Sequence, residues 1–358
     1  MGNIKYTHGR LWLPGMYDYH DRTAATRIDK RMNRTAWIVL LMGLLAASAF
    51  ALLVAIPQYA LHPARSLLST SPADVDLAFE DFLISPQDSD LQLAGWWMPA
   101  EKPRATLVFI HGGGSNRHSH FFGSLNFYRA MVNQGIAVAA IDLRNHGMSG
   151  SDAQGLQFGR TEMYDALAAI DWVHQKTPGL PLFAMGISMG GATLIQAAYH
   201  GAELDGLILL DSLLDTYDTF NRGATAKTGL PSAFFIPSAW AATTFFDLPA
   251  GEEQALERAV TLQLPILAMQ DPDDPVTRAP YSRELARRNP NVTLWTAPTI
   301  DPQHPELAWK GGWGSHVSAF EFYPQETVAR IMQFIDSRVC PNCAQSKPGA
   351  GTKLKVQQ

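Results

Sequence analysis

The run Leu182-Phe183-Ala184-Met185-Gly186-Ile187-Ser188-Met189-Gly190-Gly191 changes character midway. Its first half is a short, wholly apolar stretch of the kind a fully buried parallel strand shows. Its second half packs glycines around a serine, and Met189–His200 continues with helical spacing. A strand that turns sharply into a helix at Gly186-Ile-Ser188-Met-Gly190 places one hydroxyl on a tight, strained bend. Small residues on both sides are what such a bend needs. The helix beginning at Met189 would point the positive end of its dipole at that serine, favouring negative charge there.

The pattern repeats outward. Thr106–Ile110, Ile136–Leu143, Leu207–Leu210, Ile266–Met269 and Val292–Trp295 are further short apolar runs. Helical stretches alternate with them near 121–134, Thr161–Gln175, Tyr281–Arg288 and Glu326–Asp336. Val75–Ile84 and Leu91–Met98 read as two leading strands. Such alternation predicts βαβ units and an α/β fold with a mainly parallel sheet covered on both faces. The interval 213–263 breaks the alternation and is too long for a plain connection. With Phe220, Phe234, Phe235, Trp240, Phe245 and Phe246 in it, a helical cap inserted after the sixth strand is expected.

The chain has 358 residues, 46% apolar and 17% charged, enough for one large core. Its 28 basic and 33 acidic residues give −5, which argues against nucleic acid as a partner. Residues 1–35 hold seven Lys/Arg and three Asp (7 − 3 = +4), so residues 36–358 carry −5 − 4 = −9. That basic tail runs into Ala36–Ile56, which contains no charge. At 1.5 Å per residue it would be roughly 31 Å long, the thickness of a bilayer's hydrocarbon. A transmembrane helix at 36–56 is expected, behind a cytoplasmic tail at 1–35. Ala47-Ser48-Ala49 also fits a signal-peptide cleavage site, but the apolar run continues past it to Ile56. An uncleaved signal anchor is therefore expected. Arg27, Lys30, Arg31 and Arg34 flank only its N-terminal end, which keeps that end in the cytoplasm and residues 57–358 outside it, in the periplasm of a two-membrane bacterium.

A nucleophilic serine needs a base, an acid to orient the base, and donors for the oxyanion. His111-Gly112-Gly113-Gly114 follows Thr106–Ile110 directly, and its glycines let backbone N–H groups approach a substrate. The N–H of Gly113 or Gly114, with that of Met189, is the expected oxyanion hole. Asp271, Asp273 and Asp274 cluster after Ile266–Met269, at the C-terminal strand end where such sheets gather functional groups, and Asp211 ends the preceding strand. For the base, His304 lies in a proline-flanked polar loop. His316 lies among small neighbours just before the last helix, and is preferred. His118 and His120 form an H-x-H without a third ligand, so loop histidines rather than a metal site are expected. This chemistry requires no cofactor and no metal.

The order Ser, Asp, His along the chain, the elbow, and Asp142-Leu-Arg-Asn-His-Gly-Met-Ser149 together resemble the α/β-hydrolase superfamily. Within it the chain is similar to membrane-anchored serine hydrolases of the acylglycerol lipase and carboxylesterase type, over about residues 73–338. The resemblance selects Asp274, in Asp274-Pro-Val276, as the acid ahead of Asp273 and Asp271. It implies structural roles for Arg144 and His146. Three departures stand out. Asp271 and Asn145 occupy positions where the family usually has glycine, and the longer interval before His316 adds Thr299–Gly314, with Trp309 and Trp313 expected to wall the pocket. The expected function is hydrolysis of acyl esters, on lipid-like or other apolar substrates. A serine peptidase, a thioesterase or acyltransferase of the same fold, and a non-catalytic membrane-tethered binding module are the alternatives. Cys340-Pro-Asn-Cys343 reads as a small local disulfide, because a zinc site would need two further ligands and the chain has no other cysteine. Residues 340–358 are expected to be a flexible tail.

Overall fold

A computed structural model describes residues 34–339. The basic tail up to Asn33, the Cys340–Cys343 pair and the C-terminal tail lie outside the described residues. The chain divides at Ala46/Ala47 into two compact units. Helix α1 (Arg34–Phe50), which runs across that division, buries no side chain. One helix, Arg34–Leu61, is long and apolar enough to cross a membrane, with a mean hydropathy of 2.7 over its most apolar window. Its later part contains a π turn at Ala51–Ala55 and helix α2 (Ile56–Leu61).

The larger unit is built on eight strands in the order β1-β2-β4-β3-β5-β6-β7-β8. They are β1 (Glu80–Ile84), β2 (Leu93–Met98), β3 (Ala105–Ile110), β4 (Ile136–Ile141), β5 (Leu182–Ile187), β6 (Gly206–Leu210), β7 (Ile266–Gln270) and β8 (Val292–Thr296). β2 pairs antiparallel with β1 and β4, and every pairing from β4 to β8 is parallel. β2 to β7 are buried along their whole length, which is why they read as unbroken apolar runs.

Helices α3 (Ser124–Asn133), α4 (Glu162–Lys176), α5 (Met189–Tyr199), α6 (Thr216–Thr228), α7 (Ile236–Phe245), α8 (Ala255–Thr261), α9 (Ala279–Arg288), α10 (Ala319–Phe322) and α11 (Pro324–Val339) complete the unit. The core has two halves. In one, Ala166, Ile170 and Val173 of α4 pack with Ala192 and Ile195 of α5 and Ala259 of α8. In the other, Phe127, Tyr128 and Met131 of α3 pack with Ile331, Phe334 and Ile335 of α11. The cap between β6 and β7 is helical, as expected: α6, α7, α8 and short 3-10 turns.

One expectation fails. Residues 75–79 are not strand. Ser71 and Asp74 form a reciprocal capping box that winds Pro72–Val75 into a 3-10 turn, and Asp76, at φ 54°, ends it in the left-handed region. The strand starts only at Glu80.

The loop after β4 shows why a departure from a family pattern can be harmless. Asn145 has φ 64°, a conformation that asparagine tolerates better than most side chains. Its amide also donates to Asp152 and to the Gly155 carbonyl.

Candidate active site

Each expected group lies just past the C-terminal end of a parallel strand, where the loops of such a sheet converge. His111 follows β3, Ser188 follows β5, Asp211 follows β6, Asp271 and Asp274 follow β7, and His316 lies beyond β8. Ser188 is at φ 51°, ψ −121°. Its own N–H donates to the Leu210 carbonyl at 3.1 Å, and its carbonyl accepts from Gly191 and Leu213 at 3.0 Å each. The bend is therefore held from three sides. Gly190 is required at this crossing, because a Cβ there would collide with the Ile110 carbonyl oxygen.

The structure brings Ser188, His316 and Asp274 into one relay. His316 Nε2 lies 3.0 Å from Ser188 Oγ, and His316 Nδ1 lies 2.7 Å from Asp274 Oδ2. All three residues are buried or nearly so. Asp274 Oδ1 accepts the N–H groups of Val276 (2.7 Å) and Thr277 (2.9 Å), and the Thr277 hydroxyl is 2.8 Å from Oδ2. Thr277 was not among the expected site residues, although a polar residue three positions after an aspartate is a recognisable turn signal.

Among the other candidates, Asp273 donates its N–H to Asp271 Oδ1 and is not joined to His316. Asp271, whose carboxyl burial raises above the usual range, donates its N–H to Asp211 Oδ1. Asp211 accepts that bond at 2.7 Å, a second from Gln270 Nε2 at 3.0 Å, and a third from Val317 N–H at 3.0 Å. It thus ties the acid loop to the loop that carries His316. Burial, then Asp274 and Asp271 alongside it, raises its carboxyl well above the usual range. His304 stands apart: its Nδ1 accepts the Glu306 N–H at 3.3 Å and its ring meets Phe322.

The glycine loop is oriented by two buried histidines. His111 Nε2 accepts the Leu143 N–H at 3.1 Å, which leaves the proton on Nδ1 to be donated to the Gly112 carbonyl at 2.7 Å. In a trans peptide C=O and N–H point oppositely, so this bond aims the Gly113 N–H away from His111. His146 donates from Nδ1 to the Arg144 carbonyl (2.7 Å) and accepts the Gly114 N–H on Nε2 (3.0 Å). Gly114, expected as one of the oxyanion donors, is already engaged by His146 and drops out. The Gly113 N–H and the Met189 N–H, at the first position of α5, donate to no acceptor among the described residues. Arg144 in turn is clamped by Asp165 and Asp88, with bonds of 2.7 to 3.1 Å.

Burial lowers His111 from 6.5 to about 4, and burial with the His111 ring nearby lowers His146 to about 3. An unfolded chain takes up both protons near 6.5, so this pair costs the native state stability as pH falls from 6.5 toward those values. Glu162 works in the opposite sense. Burial lifts it from 4.5 to about 7, so the folded protein keeps a proton that the unfolded chain releases above 4.5. Stability withheld above pH 7 is recovered as pH falls to 4.5. Glu162→Gln removes that recovery. Between pH 7 and 5 its loss of stability should exceed the wild type's by roughly 1.4 kcal/mol per pH unit, read as a larger drop in Tm. Equal drops in the two proteins would contradict this assignment.

The added segment Thr299–Gly314 forms a 3-10 stretch at Pro305–Trp313. Trp313 tilts over His316 at 5.9 Å between ring centroids, and Phe121 meets both Trp309 and Trp313. Lys310, not singled out in the sequence, anchors the segment through the Phe121 carbonyl, Ser318 and Glu321 at 2.5 to 2.8 Å. His118 bonds Thr70 and the His120 ring tilts against Trp309, so neither joins the relay.

Comparison with known proteins agrees with this architecture. Residues 101–236 match the family model described as serine aminopeptidase, S33 (Hydrolase_4). Human monoglyceride lipase is 29% identical over 128 residues, 36% of this chain and 41% of the human protein. The monkeypox virus monoglyceride lipase homologue is 27% identical over 135 residues, 38% of this chain and 48% of the viral one. The matches thus span less than half the length of these relatives. An esterase of Pyrococcus furiosus superimposes with a TM-score of 0.63 at 22% identity, covering 78% of this chain and 98% of that one. The chain has the α/β-hydrolase fold and is similar to monoglyceride lipases and esterases.

Proposed function

We propose that the protein is a serine hydrolase of carboxylic esters, with Ser188 as nucleophile, His316 as base and Asp274 as the acid that holds the imidazole. The observation that carries this reading is the unbroken relay from Ser188 Oγ to Asp274 Oδ2, beside two uncommitted backbone N–H groups. Ser188 Oγ attacks the acyl carbonyl while His316 Nε2 takes its proton, and Asp274 stabilises the imidazolium. The Gly113 and Met189 N–H groups receive the oxyanion. His316 then protonates the departing alcohol, activates a water, and the acid is released with Ser188 restored.

The substrate side is apolar. Trp313 tilts over His316, and Phe121 joins Trp313 to Trp309, an aromatic wall that suits an acyl chain better than a charged group. The relatives' names point to the same class, acylglycerols. The apolar helix Arg34–Leu61 supports a membrane tether, with the basic N-terminal side in the cytoplasm and the hydrolase unit across the bilayer.

The test is release of fatty acid from a series of monoacylglycerols and simple alkyl esters by the detergent-solubilised full chain. Turnover of long-chain monoacylglycerol at least about tenfold above that of the shortest esters is expected. A folded protein with no esterase activity on any member would overturn the reading.

The matched family model's description raises an aminopeptidase as the second reading. That activity would use free carboxylates to hold a substrate's amine. Asp215 and Asp218 in the cap are in the right region but already engaged. Asp215 caps α6 through the Asp218 N–H, and Asp218 pairs with Arg278 and Arg222. Aminoacyl anilides should therefore be poor substrates.

A further inference from the structure

Between α2 and the capping box at Ser71, residues 62–70 form neither helix nor strand. A backbone of this kind must find its bonding partners elsewhere, and this one finds them on two loops of the candidate site. At its start the carbonyl of buried Leu61 accepts the Leu156 N–H at 2.7 Å. The Arg65 guanidinium donates to the Gly147 carbonyl (3.4 Å) and to the Ser151 hydroxyl. These partners lie in the loop after β4 that carries His146. Further along, the Ser66 carbonyl accepts from Asn116 Nδ2 at 2.9 Å, and the Thr70 hydroxyl lies 2.7 Å from His118 Nδ1. Asn116 and His118 end the glycine loop that begins at His111.

The contacts converge on the glycines of the oxyanion loop. Pro63 lies beside Gly114: a Cβ built on that glycine would be 3.9 Å from Pro63 Cβ. Leu156, held by Leu61, lies on Gly113, where a Cβ would come within 3.4 Å of its side chain and 3.3 Å of Met189 Sδ. The close passage also explains Gly155. At φ 71° its Cβ would fall on the Leu61 carbonyl oxygen. His146 must be neutral to accept the Gly114 N–H. Burial and the His111 ring hold it so, and the nearby Arg65 charge adds to them.

We infer that residues 61–70 are the backing of the oxyanion hole. Arg65 and Thr70 are positioning residues in it, acting on the Gly113 N–H through the loop after β4 and through the glycine loop. An N–H group aimed in advance stabilises the oxyanion at once, whereas one free to turn must be reoriented as the charge develops. The chain leaving the apolar helix is thus part of the catalytic unit and not a spacer. This rests on reading Ser188 as the nucleophile of an ester hydrolase.

The experiment measures kcat and KM of the detergent-solubilised full chain on an aryl ester and on its thionoester, whose sulfur is a poor acceptor for the oxyanion donors. Arg65→Ala combined with Thr70→Val should lower kcat on the ester at least about fivefold, with KM changed less than about twofold. The ester-to-thionoester ratio of kcat should fall at least about threefold, because the thionoester draws less on those donors. Arg65→Lys combined with Thr70→Ser keeps a donor at each place and should restore most of the rate. Ser69→Ala, exposed on the same segment, should match the wild type. These side chains are exposed or half-buried, so the fold is not at stake. Wild-type turnover in the first double variant, or equal losses on both substrates, would overturn the positioning role and leave the ester hydrolase standing. So would a loss confined to KM, or a conservative pair as slow as the first. A folded wild type inactive on both substrates would overturn the hydrolase reading and this inference with it.

Discussion

Ser188→Ala is expected to lower ester turnover by at least about 10⁴-fold and to abolish labelling by a fluorophosphonate probe. His316→Ala should lose nearly as much, because a triad fails as a unit once its nucleophile is no longer activated. His304→Ala should keep both labelling and turnover, since its ring only caps a 3-10 turn and meets Phe322. The measurement is gel fluorescence after probe treatment, together with kcat/KM on a soluble ester. Loss with His304→Ala and not with His316→Ala would move the base to the other histidine. A folded wild-type protein that takes no label would favour a tethered binding module over an enzyme.

The second large effect belongs to Asp274→Asn, for which a loss of about 10⁴ in kcat is expected with little change in KM. The reason lies in the donors around this carboxylate. The Val276 and Thr277 N–H groups face Oδ1, and the Thr277 hydroxyl and His316 Nδ1 approach Oδ2. An asparagine must turn its oxygen to the two backbone donors, which leaves its NH₂ facing Nδ1. Nδ1 then has to accept, Nε2 carries the proton, and His316 meets Ser188 with the wrong tautomer. Asp271→Asn and Asp273→Asn leave the relay intact and should cost far less. Asp211→Asn should fall between them, because one of its oxygens receives the Val317 N–H that positions the base loop. A loss with Asp211→Asn exceeding that with Asp274→Asn would transfer the acid's role to the end of β6.

The choice between these aspartates shows how far the sequence could be read. Local chemistry narrowed the acid to a cluster, and only a resemblance selected Asp274 from it. The discriminating fact is which oxygen lies 2.7 Å from His316 Nδ1, a contact between residues 42 positions apart. The oxyanion loop is similar. Three consecutive glycines look interchangeable along the chain. They become distinct once His146, arriving from the loop after β4, takes the Gly114 N–H and His111 turns the Gly112–Gly113 peptide. At 75–79 the apolar pattern suited a strand, but a proline and a capping box at the preceding turn decided the backbone.

What the sequence determined by itself was whatever depends on neighbours along the chain. Buried strands appeared as continuous apolar runs, the elbow as glycines around Ser188, the cap as an interval too long for a loop, and the apolar helix as charge-free length. Tertiary structure alone decided which distant groups meet: Asp211 joining two loops, Lys310 tying the added segment to the Phe121 carbonyl, and α7 of the cap packing against the turn and helix at Ala51–Leu61. The division has a physical cause. Turn strain, periodicity and helix length are set by local sterics and local burial. A hydrogen bond between loops depends on how the whole sheet twists and packs before either partner can find the other.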